Sequence, residues 1–214
     1  MLQTTEDINL YIKEKIQVAK NLPVNIIADV CELVWSAYQN GKTIYACGNG
    51  GNAGFVANLI NDIANHPFVS EDKHKSLPSN IPRLRAIDLT QSVAAITGIT
   101  NDIGFDFIFS QQLINDCMGE GDIIFGFSGS GNSGNVLQAF ATAQHYNANT
   151  IAITRGNGGK AIEMADYCIL IPGTSLFPGQ TGGNNNNFHF EDALSYIAHM
   201  ITGVMCQKIK NKYL

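Results

Sequence analysis

The sequence predicts an α/β protein built on a doubly wound, five-stranded parallel sheet. Five short apolar segments run without alternating polar residues, which is typical of strands that are buried on both faces. Segments with helical periodicity separate them, so strands and helices alternate along the chain. At 214 residues the chain is expected to form a single domain, residues 1–214, that is large enough to bury a sizeable core.

Residues 1–41 are predicted to form an N-terminal helical hairpin. In the first helix, Ile8, Ile12 and Ile16 recur at every fourth position. The second helix starts at Pro23, which suits a first helical turn. Because both helices precede any strand, they do not act as crossovers. We expect them either to form a lid over the sheet or to supply a subunit interface.

Glycine-rich turns and polar loops separate the remaining elements. Predicted strands cover residues 43–47, 84–89, 122–127, 150–154 and 167–171. Predicted helices cover residues 4–21, 23–41, 53–65, 91–97, 105–118, 134–146, 160–165 and 188–210. Residues 98–104 are predicted to be a loop, and two longer loops cover residues 66–83 and 172–187.

Composition argues against several kinds of partner. The net charge is −5, 14% of residues are charged and no basic cluster occurs, so direct binding to nucleic acid is not expected. No apolar run approaches the ~18 residues of a membrane span, and no secretory signal pattern is present. The five cysteines are scattered and odd in number, which indicates free thiols in a reducing compartment. A soluble, cytoplasmic protein is expected.

Two glycine-rich turns each follow a strand and open a helix, an arrangement that binds phosphate. Gly48–Ala53 fits the alanine variant of the dinucleotide fingerprint, and Gly129–Gly134 fits its standard form. The fingerprint also needs an acid about 20 residues later, at the end of the next strand. That position holds Thr154 and Arg155 after the second turn, and the strand after the first turn ends too late, at Asp88. Neither turn therefore meets every requirement of the dinucleotide fingerprint, and nicotinamide binding is kept only as an alternative.

Three serines favour a single phosphate group as the ligand of the second turn. Ser128, Ser130 and Ser133 lie on or beside the turn, and each hydroxyl can donate one hydrogen bond to a phosphate oxygen. The helix that starts near Gly134 adds its free amides and its dipole. Alternatively, Ser133 serves only as the N-cap of that helix.

Several motifs resemble one protein family. Phe127–Val136 is similar to the signature of the sugar isomerase (SIS) domain family, and three segments resemble its phosphoheptose isomerase branch: Cys47–Asn52, Thr100–Phe105 and Ile153–Lys160. The resemblance covers nearly the whole chain and keeps the motifs in order. It implies a five-stranded parallel sheet, a sugar-phosphate ligand and a homo-oligomer, usually a tetramer, whose sites are shared between subunits.

The resemblance also implies which residues form the site. Asp62 and His199 match the acid–base pair that would move protons through an enediol near C1 and C2 of the sugar. The positions that match substrate-binding residues are Asn49, Gly50, Gly51, Asn52, Asn101, Asp102, Ser128, Gly129, Ser130, Asn132, Ser133 and Glu191. For Asp102, a simple role as a turn former is the alternative.

Some members of this branch hold zinc, and zinc is the one cofactor that the resemblance implies. The matching positions here are Asn58, Asp62, Glu191 and His199, where the first is usually histidine and the third glutamine. Asp62, Glu191 and His199 are ligand types that zinc accepts. The amide of Asn58 is a poor zinc ligand, which argues against tight binding.

Two functions follow from the resemblance. The first is an isomerase of sedoheptulose 7-phosphate or a related sugar phosphate. The alternative is a non-catalytic regulator that binds a sugar phosphate or a protein, as the DnaA initiator-associating protein of the same branch does. Departures from the family pattern at Asn52, Asn58, Asp62 and Glu191 motivate this alternative. Asp62 is one methylene shorter than the usual glutamate, and a shift of about 1 Å matters in proton transfer.

Overall fold

The computed structural model describes residues 2–180 and 182–214, and its centre is one sheet of five parallel strands. The strands lie in the order β2-β1-β3-β4-β5. Their bounds are β1 Thr43–Gly48, β2 Arg85–Asp88, β3 Ile123–Phe127, β4 Asn149–Arg155 and β5 Tyr167–Ile171. The strand order reverses between β1 and β3, and ligands of open α/β sheets bind at the carboxyl ends of the strands at such a point.

Eight α-helices and three short 3₁₀ turns surround the sheet in the described part of the chain. The helices are α1 Leu2–Lys20, α2 Val24–Gln39, α3 Gly51–Asn65, α4 Val93–Asp102, α5 Ser110–Asn115, α6 Gly134–His145, α7 Ala161–Met164 and α8 Asn187–Tyr213. The 3₁₀ turns cover His66–Phe68, Phe105–Phe107 and Gly182–Asn184. All five predicted strands are present, each within a residue or two of its predicted bounds.

Both faces of the sheet are covered by helices, which confirms the doubly wound prediction. Alternate strand residues such as Ile44 and Phe125 point to one side, where they pack with residues of α2, α3 and α8. Their neighbours Tyr45 and Ile124 point to the other side, where they pack with residues of α5 and α6. The two cores explain why most strand positions on both faces of the sheet are apolar.

Two helix predictions on the second face need correction. The predicted loop at residues 98–104 is mostly helix, because α4 continues to Asp102 with Ile96 and Ile99 packed at helical spacing on the second core. The single helix predicted over residues 105–118 is instead a 3₁₀ turn followed by the short α5. Cys117, with a φ of 58°, ends the helical path there.

Both N-terminal helices pack on α8, and α2 also packs on β1 and β5. Tyr11 donates a hydrogen bond of 2.7 Å from its hydroxyl to the Asp192 carboxylate of α8. The predicted apolar stripe lies on the outer side of α1, where Ile8, Ile12 and Ile16 are 54%, 51% and 47% exposed. This stripe is therefore not the face that α1 buries within the chain.

Two further sequence predictions concern the thiols and the membrane. All five cysteines are free, and Cys117 is exposed whereas Cys31 and Cys47 are buried. Burial raises the pKa of the Cys31 thiol to about 11, so this thiol is unreactive at neutral pH. Within residues 2–180 and 182–214, no helix combines the length and the apolar character needed to cross a bilayer.

Candidate active site

The two glycine-rich turns lie side by side at the point where the strand order reverses. Gly48 at the end of β1 pairs with Phe127 at the end of β3, so the turns leave the sheet at the same height. Asn49 and Asn135 join them through two side-chain amide hydrogen bonds of 2.9 and 2.8 Å. The two turns therefore form one polar surface at the carboxyl edge of the sheet.

We call residues 128–135 the serine loop. The Ser128 and Ser133 hydroxyls lie 2.9 Å apart and share a hydrogen bond. Ser133 is the residue before α6 but its side chain makes no capping bond, so its hydroxyl remains directed toward Ser128. The Ser130 hydroxyl accepts a bond of 3.2 Å from the Asn132 amide. The hydroxyls and the amides at the start of α6 thus lie together, as a phosphate cradle requires.

Glycine is required where the serine loop meets the turn after β4. Gly131 has a φ of 64°, and a Cβ atom there would lie 1.9 Å from the carbonyl oxygen of Gly158. The amide of Ala161 donates to the Gly131 carbonyl oxygen at 2.9 Å. The Lys160 amide donates to the Asn132 side-chain oxygen at 3.1 Å. Backbone contacts therefore determine the shape of the loop.

The first turn ends in α3 earlier than the sequence predicts. Gly50 precedes the helix with a φ of 57°, and Gly51 and Asn52 belong to the first turn of α3. The Asn52 amide lies 3.5 Å from the Phe127 carbonyl oxygen, while its own side-chain oxygen is buried without a partner in the described part of the chain. Glu191 packs here, since its Oε1 atom lies 3.2 Å from the position of a Cβ on Gly51.

Asp62 and His199 meet where α3 packs on α8. The Asp62 carboxylate is 8% exposed, and its Oδ2 atom lies 3.5 Å from His199 Nε2. His199 is 63% exposed, so the imidazole reaches solvent while the carboxylate does not. Asn58 donates to the same carboxylate oxygen at 3.3 Å, and His66 Nε2 lies 3.8 Å from the other oxygen, Oδ1. A buried carboxylate and an accessible imidazole are suited to proton transfer.

The three predicted zinc ligands do not converge. Asp62 and His199 are in contact, but Glu191 lies against Gly51, two helical turns before His199, and accepts a bond of 3.0 Å from Asn187. Among the described residues, no three His, Cys, Asp or Glu side chains come close enough to hold a metal ion. In addition, Asn58 directs its amide nitrogen, which has no free lone pair, at Asp62. The residues present do not fit a zinc site.

Asn101 and Asp102 lie at the end of α4 and not in a loop. Both are exposed, and the Asn101 amide donates to the Asp102 carboxylate at 2.8 Å. The structure thus places these two predicted sugar ligands on the exposed surface of α4. Their role as ligands stays a prediction.

Three residues near the site were missed or misread from the sequence. Asn135 was treated only as part of a motif, and its pairing with Asn49, 86 residues away, has no local signal. His66 lies four residues after Asp62, so helical spacing could have pointed to it. Arg155, at the position where the dinucleotide fingerprint would need an acid, donates to the carbonyl oxygens of Asn185 and Gly183 at 2.7 and 2.6 Å.

Comparison with known proteins identifies the family of this chain. A family model described as the SIS domain matches residues 11–155, two thirds of the chain and both glycine-rich turns. The chain belongs to the SIS domain family. Its similarity to the phosphoheptose isomerases within this family is also extensive, as two sequence relatives and one solved structure show.

The phosphoheptose isomerase of Aneurinibacillus thermoaerophilus is 32% identical over 173 residues, which cover 77% of this chain and 82% of that protein. The phosphoheptose isomerase of Shewanella sp. strain ANA-3 is 36% identical over 165 residues, covering 75% and 77% of the two chains. A structure of a phosphoheptose isomerase from Francisella tularensis superimposes with a TM-score of 0.77 at 27% identity, over 95% of this chain and 98% of that one. This chain therefore groups with the isomerases of the SIS domain family, and the regulator alternative is not favoured.

Proposed function

We propose that this protein is an aldose–ketose isomerase that acts on sedoheptulose 7-phosphate or a closely related sugar phosphate. The contact of 3.5 Å between the buried Asp62 carboxylate and the accessible His199 imidazole carries the proposal. The serine loop supplies the complementary part, a place for the phosphate group. The similarity to phosphoheptose isomerases supports the same reaction.

The two side chains divide the proton transfers between carbon and oxygen. Asp62 takes a proton from C1 of the ketose, and the electrons of the C–H bond form the C1–C2 double bond of an enediol. His199 gives a proton to the oxygen on C2. His199 then takes the proton from the oxygen on C1, whose electrons form the aldehyde, while Asp62 returns its proton to C2. Both groups end as they began, and no other reactant is needed.

Helix α3 connects the first glycine-rich turn to the Asp62–His199 pair. Gly51 and Asp62 are eleven residues apart on this helix, which corresponds to about 16 Å along the helix axis. Because the two parts of the site are well separated along α3, we expect a long sugar phosphate to be a better substrate than a short one.

Incubation of the pure protein with sedoheptulose 7-phosphate tests the proposal. We expect the aldose 7-phosphate to accumulate, detected by NMR, and deuterium from D₂O to enter C2 during turnover. Fructose 6-phosphate and ribulose 5-phosphate serve as shorter controls and should react more slowly. Absence of any aldose product, with or without added zinc, would refute the proposal.

We further propose that the protein works as a homo-oligomer, a tetramer by resemblance to its branch, and that it resides in the cytoplasm. The exposed stripe on α1, formed by Ile8, Ile12 and Ile16, supports association because burying it in a second copy removes apolar surface from water. Five free cysteines agree with a reducing compartment. Light scattering of the wild type and of an Ile8→Ser, Ile12→Ser variant tests the association, and a wild-type monomer would contradict it.

A further inference from the structure

Arg155 is the last residue of β4 and lies between the serine loop and the long loop that precedes α8. Its backbone amide donates to the carbonyl oxygen of Gly129 at 3.3 Å. The side chain reaches the other way, and its two terminal nitrogens donate to Asn185 and Gly183 at 2.7 and 2.6 Å. One residue thus connects the phosphate end of the site to the segment 182–187.

The guanidinium group also lies against the serine loop itself. The Nε atom of Arg155 is 3.3 Å from the position that a Cβ on Gly129 would occupy. This nitrogen is buried and has no hydrogen-bond partner among the described residues. A positive charge therefore rests beside the loop without a partner for one of its donors, which is costly unless a ligand compensates.

The segment held by Arg155 forms part of the same surface. The Asn187 side-chain oxygen and a ring carbon of Phe190 lie 3.4 and 3.3 Å from the Cβ position of Gly129. Asn187 also donates to Glu191, which packs on the first glycine-rich turn. Burial lowers the pKa of Arg155, whereas the nearby Glu191 carboxylate raises it and favours the charged form.

We propose that Arg155 is a positioning residue for the phosphate end of the substrate, where it anchors the segment 182–187 beside the serine loop and supplies the local positive charge. The inference rests on the proposed function, because it concerns the ligand of the same site. An arginine suits this role better than a lysine, since its planar fork can bond two carbonyl oxygens at once. The charge favours a phosphate dianion over an uncharged sugar.

The test uses the full chain and inorganic phosphate, whose binding is measured by calorimetry, so that it does not depend on turnover. For Arg155→Gln we expect phosphate binding at least about tenfold weaker, as removal of a charged hydrogen-bonding group predicts. Amide hydrogen exchange in residues 182–187 should become faster. With the sugar phosphate, KM should rise while kcat stays within about twofold, since the acid–base pair is distant.

Two variants complete the design. Arg155→Lys keeps the charge but loses the fork, so exchange in the segment should rise while phosphate affinity falls less than in Arg155→Gln. If Arg155→Gln does not fold, the same measurements on Arg155→Lys test the proposal. Arg85→Gln, an exposed arginine at the opposite edge of the sheet, is the matched control and should behave as wild type. Unchanged phosphate affinity in Arg155→Gln, or unchanged exchange in both Arg155 variants, would overturn the proposal.

Discussion

The serine loop and the Asp62–His199 pair are the two parts of the candidate site, and they are held by different means. Backbone bonds and glycine contacts hold the loop, and its hydroxyls are 2.9 Å apart. The pair depends on two side chains from α3 and α8 that approach to 3.5 Å, and one of them is largely exposed. We therefore expect the serine loop to be the more rigid part and the Asp62–His199 pair to be the part that adjusts when a ligand binds.

The largest expected effect is a loss of catalytic rate without a loss of phosphate binding. Asp62→Asn and His199→Asn remove the base and the second proton carrier, and each should lower kcat by roughly 10² to 10⁴-fold while phosphate binding is unchanged. Asp62→Glu keeps a carboxylate and should retain measurable turnover. Steady-state kinetics and calorimetry provide the two readouts, with the exposed His145→Asn as the control. If phosphate affinity falls as much as kcat, the two ends are not separate.

The next largest effect concerns the rigidity of the serine loop. Gly131→Ala places a methyl group 1.9 Å from the Gly158 carbonyl oxygen at a φ of 64°, so the loop must move. We expect a loss of about 3 kcal/mol or more in the free energy of unfolding, measured in urea, with loss of phosphate binding. Gly54→Ala in α3 has open space around it and should be neutral or stabilising by up to about 1 kcal/mol. Equal stability of the two variants would contradict a rigid loop.

The connection between the two glycine-rich turns should have an intermediate effect. Asn135→Ala removes both amide bonds and leaves the Asn49 side chain unpaired in a partly buried place. This change should cost about 2 kcal/mol of unfolding free energy and weaken phosphate binding several-fold. Asn211→Ala, at an exposed position, is the control. Chemical denaturation measures the unfolding free energy, and phosphate titration measures the affinity. Normal phosphate affinity in Asn135→Ala would show that each glycine-rich turn keeps its conformation without the bonds between Asn49 and Asn135.

The smallest effect concerns the loop before α8 and depends on pH. Burial by itself raises the pKa of Glu14, but hydrogen bonds from the Leu176 amide, the Ser175 hydroxyl and His189 outweigh it and lower the pKa below its ordinary value of 4.5. Glu14→Gln should therefore cost about 1 kcal/mol at neutral pH. The difference from wild type should shrink as the pH falls through the lowered pKa, because wild-type Glu14 then becomes protonated. Thermal unfolding of both proteins from pH 7 to pH 3 measures this difference in stability.

The control for this pH dependence is Glu6→Gln, at an exposed position on the same helix. It should leave the unfolding temperature unchanged at every pH. A difference between Glu14→Gln and wild type that grows as the pH falls would show that Glu14 stabilises the fold in its protonated form, contrary to the expected sign.

The conformation of the serine loop was predictable in part because its contacts are local or follow from the strand order. The residues Ser128 and Ser133 that share a hydrogen bond are five positions apart, and the strand before them is an unbroken apolar run. The Asp62–His199 pair could be proposed from the sequence only through family resemblance. Asp62 and His199 are 137 positions apart, and no periodicity of α3 or α8 marks either of them.

The exposed stripe on α1 shows that a local sequence pattern can predict a helix correctly without identifying what its apolar face contacts. The spacing of Ile8, Ile12 and Ile16 predicts a helix, and the helix is present. The stripe does not face the core, since α1 contacts α8 through Tyr11 and Glu14 on its other side. Periodicity defines a helix face, but it does not say whether the chain itself covers that face.

By itself, the sequence determined the order of the strands and helices along the chain and the two glycine-rich turns with their serines, because backbone propensities and burial act over short distances. Only the tertiary structure decided that Asn135 bonds to Asn49, that Arg155 holds the segment 182–187, and that Glu191 lies against Gly51 of the first glycine-rich turn and not with Asp62. These contacts depend on how α3 and α8 pack and on which long side chains then come within hydrogen-bond distance. Distances of this kind follow from the packing of the whole chain, which no local pattern contains.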